Sequence, residues 1–270
     1  MEQLNPAIFT KVINSYLPEP HASLLNGIIF GVSLKTTKAF YEQLKTVGLL
    51  HIVVLSGMNI TLLASVISSI TSLFGKQISS LITILIIILF ILFVGIKAPI
   101  IRAGFMGILT LVAILSGRRN FAFFALFLSV IFTLLVWPQW IKTISFQLSY
   151  GATFGILLFT QSKKIKPKDL FQMFIFKVKE DLRLSLSAQV FTAPIIFFYF
   201  KQVSLISPIS NLLISPLIAP LMIFGFLTAI LGKVHYLLGL IPSYFCYGIL
   251  TYIVFVIENL SKIPFAFFQY

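Results

Sequence analysis

The chain is short of acidic residues, histidine and cysteine, and each shortage removes a class of chemistry. Seven Asp and Glu, nearly all in polar stretches, leave no carboxylate pair to work as general acid and base. His21, His51 and His235 are the only histidines; they are scattered, without H-x-H or H-E-x-x-H spacing, so a zinc nuclease or protease centre has no ligand set. Cys246 stands alone in an apolar run and cannot form an intrachain disulfide. No G-x-x-x-x-G-K-[ST] occurs, so ATP has no P-loop and any energy must come from elsewhere. Residues 1–20 lack a basic start followed by an apolar core, so no secretory signal is expected and the first real span should direct insertion.

What is abundant is apolar: 59% of the 270 residues are hydrophobic, 10% are charged, and the mean hydropathy is +1.04. A soluble domain has no means of covering so much apolar surface, so the chain reads as an integral membrane protein. Crossing the hydrocarbon core takes about 20 apolar residues, and on that measure there are about eight spans. They lie near 50–74, 78–96, 99–116, 120–137, 142–161, 183–200, 205–231 and 236–260. The expectation is an all-α polytopic bundle, with some spans broken by Gly or Pro. Pro208, Pro216 and Pro220 each remove a backbone donor, which predicts a broken or partly re-entrant segment at 205–231. Residues 1–48 form an N-terminal segment, 49–262 the transmembrane domain and 263–270 a C-terminal tail. Within the first, residues 22–34 are too short to span and predict an interfacial or tucked-in helix.

The formal charge of +13 first reflects positive-inside loops. Lys76, then Arg118 and Arg119, then the lysines between 163 and 183, then Lys233 follow alternate spans, which places those loops in the cytoplasm and both termini outside. Lys35, Lys38 and Lys45 run against this assignment. Residues 163–183 put apolar and basic side chains on opposite faces and read as a basic helix lying on an anionic leaflet.

Ser56-Gly57-Met58-Asn59 interrupts the first span with residues that insertion does not need. A serine protease needs a base within hydrogen-bond reach; His51 is rotated away from the Ser56 face, and the other histidines fall outside membrane depth. No enzymatic role is expected. The interruption instead joins other uncharged polar residues at membrane depth: Asn59 with Ser56, Ser145, Gln147, Ser149 and Tyr150 before Gly151 and Gly155, Gln189 before Pro194, and Asn211 with Ser215. Two accounts stand. Such side chains bond across a bundle at roughly 0.6 kcal/mol each, or they line a hydrophilic path where irregular helices surround a cavity. Arg102, three residues after Pro99, either snorkels or faces water or a ligand, since no acidic residue at its depth can pair with it.

These segments resemble the competence domain of ComEC-type DNA-uptake proteins. The resemblance rests on Glu19 to Gly31, EPHASLLNGIIFG; Gly48 to Ile60, GLLHIVVLSGMNI; Ile101 to Asn120, IRAGFMGILTLVAILSGRRN; Ser145 to Leu157, SFQLSYGATFGIL; and the run from Ser187 to Pro220. They occur in family order. The family's first motif usually reads Ser-Gly-Leu-His, and here Met58 and Asn59 hold the last two places, so no imidazole stands there. The soluble OB-like and metallo-β-lactamase-like domains of larger members are not recognisable. The resemblance implies a channel passing single-stranded DNA across the cytoplasmic (inner) membrane during natural transformation. No cofactor is implied; the expected partners are single-stranded DNA, the lipid bilayer, and a separate DNA receptor, nuclease and ATP-driven helicase. Ser56, Asn59, Gln147, Gln189 and Asn211 would line the path, with Arg102, Arg118 and Arg119 meeting phosphates. Arg118 and Arg119 serve equally as topology anchors. The alternatives are a carrier for a small anionic solute or lipid, and a non-transporting scaffold of a competence complex.

Overall fold

A computed structural model describes residues 6–53, 57–118, 121–159, 169–263 and 267–269. Twelve α-helices are described: α1 Ala7–Tyr16, α2 His21–Phe30, α3 Lys38–Thr46, α4 Leu50–Val53, α5 Gly57–Thr71, α6 Lys76–Val94, α7 Ala98–Leu115, α8 Ala122–Val136, α9 Ile144–Phe159, α10 Leu170–Phe200, α11 Ser207–Val234 and α12 Tyr236–Leu260. Each of the eight expected spans contains helix, and five helices, α6, α7, α10, α11 and α12, are long and apolar enough to cross a bilayer. Outward-pointing side chains are large and apolar along these helices: Leu92 of α6 is 66% exposed and Phe198 of α10 72%, surface that water would reject and lipid accepts.

The largest apolar cluster forms around α2. Leu24, Leu25, Ile28 and Ile29 are buried against Ile214, Ile218 and Leu221 of α11, Cys246, Leu250 and Ile253 of α12, and Leu44 of α3. Apolar side chains gain little from leaving lipid for protein, so close packing holds the bundle together. Gly225 supplies it on α11, where a Cβ would press into Leu25 and Ile29. Gly155 does the same on α9, where the Ser187 backbone of α10 fills the place of a side chain. Gly31 ends α2 in the left-handed region at φ 64°, and its N–H returns to the Gly27 carbonyl.

Two expectations are corrected. Residues 205–231 are not broken, because α11 runs unbroken from Ser207 to Val234. Pro208 lies in its first turn, where no donor is needed, while Pro216 and Pro220 stay inside a helix held along its length by α12. Of the basic helix expected at 163–183, residues 163–168 lie outside the described residues, and 170–183 do not form a separate surface helix. They are the first turns of α10, whose 31 residues extend roughly 46 Å, well past a hydrocarbon core of about 30 Å. A short antiparallel pair also appears, β1 Gln202–Ser204 against β2 Phe267–Gln269, tying the segment between α10 and α11 to residues near the C-terminus.

Candidate functional site

Arg102 occupies the first turns of α7, which packs against both α5 and α9. Its guanidinium lies on the Cα of Gly57, so close that any side chain at 57 would collide with Nη2. Tyr150 belongs to α9, which packs on α7. The Tyr150 ring is itself fixed: its hydroxyl donates to the Ser129 carbonyl at 3.1 Å and meets Thr133 Oγ1 at 2.9 Å, joining α8 to α9. Among the described residues no carboxylate pairs with Arg102, and its Nε is buried without a hydrogen-bond partner. The sequence left snorkelling and an inward role open, and this geometry is the inward one.

A second polar group sits between α10 and α11. Asn211 Nδ2 donates to Ser185 Oγ at 3.1 Å and to Ser207 Oγ at 3.4 Å, and Gln189 Nε2 donates to the Ser204 carbonyl at 3.0 Å. Asn211 Oδ1 and Ser204 Oγ are buried with no partner among the described residues. Ser149 Oγ, on α9, is in the same condition. Buried polar atoms are seldom left unpaired, because each costs about 1–3 kcal/mol when it loses water and gains nothing. Here they recur along an arc in which α7 packs on α9, α9 on α10 and α10 on α11.

The other expected positions lie elsewhere. Asn59 is fully buried and its Nδ2 donates to the Ile28 carbonyl at 2.6 Å, joining α5 to α2. Gln147 stays in the first turn of α9 and reaches back to the Ile141 carbonyl at 3.2 Å, apart from both polar groups. Arg118 follows α7 and is exposed. Ser56 and Arg119 lie outside the described residues. The structure therefore brings Gln189 and Asn211 into one group, places Arg102 in another, and leaves Asn59 and Gln147 in neither.

Ser185, Ser204 and Ser207 were missed. Two had a signal: Ser185 precedes Gln189 by four residues and Ser207 precedes Asn211 by four, the spacing that stacks side chains on one helix face. The expected partner of Asn211 was Ser215, four residues on the other side.

An all-α bundle with apolar outer faces, carrying among the described residues a cation without a carboxylate partner and several buried polar atoms without hydrogen bonds, has the make-up of a membrane protein. The profile of the family described as Competence protein matches residues 28–270, and the chain belongs to that family. It is similar to the ComE operon protein 3 of Bacillus subtilis (strain 168), 25% identical over 205 residues that cover 75% of this chain and 25% of that protein. It is also similar to an uncharacterized protein of Aquifex aeolicus (strain VF5), 29% identical over 206 residues, 75% of this chain and 46% of that one. The chain thus spans less than half the length of these curated relatives. No solved structure matches it.

Proposed function

We propose that this protein carries single-stranded DNA across the cytoplasmic membrane during natural transformation, as a multi-pass channel driven by a separate motor. Membership of the competence family supports a role in DNA uptake. The observation that carries the transport reading is Arg102: among the described residues its half-buried guanidinium has no acidic neighbour and its Nε is buried without a partner, which is expensive in a bundle unless an anion visits it. Phosphates supply that anion one at a time, and the hydroxyl and amide groups of Ser149, Ser204 and Asn211 offer hydrogen bonds that do not discriminate between bases. Arg118, exposed at the end of α7, adds a phosphate contact at one mouth. No bond is made or broken by the chain in this scheme, which assigns surface binding, strand degradation and the driving force to a separate receptor, nuclease and ATP-driven helicase.

The test is flux into vesicles holding the purified chain, with a fluorescent single strand outside and a single-strand-binding protein trapped inside to draw it in where the motor would. Entry of the strand, with binding that weakens with salt at a slope near −0.7 for each phosphate contacted, is the expected result. Flux of inorganic phosphate without the strand would identify a small-anion carrier. Absence of both fluxes would leave a scaffold and overturn the proposal.

A further inference from the structure

Four tyrosines form a cleft that the arc of polar groups does not include. Tyr236, Tyr244 and Tyr247 stand on one face of α12 with Ser243 between them, and Tyr16 closes the cleft from the end of α1, enclosing about 250 Å³. The Tyr16 ring is clamped: its hydroxyl donates to the Tyr236 carbonyl at 2.7 Å, and Gly232 and Gly239 both give up side chains to make room for it. Its face lies on the Tyr236 ring at 4.8 Å and 11°. At the other end His21 lies on Tyr247 at 5.0 Å and 18°, held by Thr251 at 3.1 Å. Ring planes are thereby fixed at both ends of the cleft, while Tyr236 remains 55% exposed and Tyr244 69%.

Membrane proteins commonly place tyrosines at the lipid interface, and such a belt runs around the bundle at one depth. This group runs the other way. From Tyr236 to Tyr247 is eleven residues, or roughly 16 Å along the axis of one helix. A row of oriented ring faces along an axis, beginning beside the cation Lys233 in the last turn of α11, fits an extended polyanion carrying flat groups.

We infer that the Tyr16–Tyr236–Tyr244–Tyr247 cleft is a base-stacking site for single-stranded nucleic acid. This rests on the transport reading above and assigns it a place where bases, not phosphates, are held. Stacking is blind to base identity because every base has a π-face, which suits a route that must accept any sequence. Tyr236 and Tyr244 offer the exposed faces; Tyr16 and His21 hold the neighbouring rings in position.

The test compares a thymidine oligonucleotide with an abasic strand of the same length, each binding to the whole chain in lipid nanodiscs. The wild-type protein should prefer the strand with bases by about tenfold or more, the equivalent of stacking one or two bases. Tyr236→Leu with Tyr244→Leu should bring the ratio close to one while leaving abasic binding unchanged, which also reports that the variant is folded. Tyr236→Phe with Tyr244→Phe should keep the preference. If the leucine variant keeps the full preference, the tyrosines anchor the protein in lipid and the inference is overturned. If the wild-type protein binds both strands equally and with salt dependence, the stacking site is overturned and DNA transport stands. If it binds neither strand, both fall.

Discussion

The side-chain amide of Asn59 on α5 donates to the Ile28 carbonyl near the end of α2, at 2.6 Å and out of contact with solvent. The last carbonyls of any helix lack partners within it, and the Ile28 carbonyl lies in a buried part of α2, where water cannot serve. Lys97, just before α7, completes the arrangement by donating from Nζ to the Gly31 carbonyl at 3.2 Å. A cation at a helix C-terminus is favourable on electrostatic grounds as well. The interruption at 56–59 thus supplies, through Asn59, the cap of a buried helix more than thirty residues earlier in the chain.

Replacing Asn59 with leucine should therefore act on stability first. The Ile28 carbonyl would lose this donor in a buried site, at a cost of about 1–3 kcal/mol. Thermal unfolding in detergent should show a clear fall in midpoint, with less protein recovered from membranes. An unchanged midpoint would mean that the contact with α2 contributes nothing.

Arg102 should behave in the opposite way. Arg102→Met removes a half-buried cation that has no carboxylate partner among the described residues, and exchanging desolvated charge for apolar bulk is often neutral or stabilising. Strand flux into vesicles should fall by about tenfold or more, equal to 1.4 kcal/mol on the slow step, while the unfolding midpoint holds or rises. Gly57→Ala should give the same separation, since its methyl would occupy the place of the guanidinium. A variant of Arg102 with normal flux would remove the residue from the path.

The glycines of α9 and α12 provide an internal contrast. At Gly155 a Cβ would run into the Ser187 backbone, so Gly155→Ala must push α9 from α10 and should cost about 1–3 kcal/mol. At Gly248 a Cβ meets nothing, and Gly248→Ala should leave the unfolding midpoint where it is or raise it slightly. Equal effects at the two positions would show that helix propensity, and not the contact between α9 and α10, sets the cost.

The spans were legible because lipid imposes a simple length and polarity on each of them, and α6 and α12 fall within a few residues of their expected limits. Less could be read where one residue type has two outcomes. Pro216 and Pro220 signal a missing donor in any sequence, but whether the helix breaks depends on its neighbours, and α12 keeps α11 together. The site divides similarly. Arg102, Gln189 and Asn211 stand out as polar side chains in apolar runs, whereas their surroundings do not: Gln189 bonds a main-chain carbonyl, which any residue would present at Ser204. Asn59 and Asn211 look alike in the sequence and differ in what they meet.

That difference gives the last prediction. Asn211 has its amide nitrogen shared between Ser185 and Ser207, while Oδ1 is buried with no partner among the described residues. Asn211→Leu therefore breaks two hydroxyl contacts whose owners can turn to other acceptors, and it removes an unpaired acceptor at the same time. The stability change should stay near the roughly 0.6 kcal/mol typical of polar contacts between membrane helices, well below that of Asn59→Leu. Strand flux should fall nonetheless, because leucine closes the polar group between α10 and α11. Measured side by side, the two asparagine variants should separate: Asn59→Leu mainly lowers the unfolding midpoint, and Asn211→Leu mainly lowers flux per folded molecule. If Asn211→Leu destabilises as much as Asn59→Leu and flux per folded molecule is normal, Asn211 holds helices together and the path does not pass it.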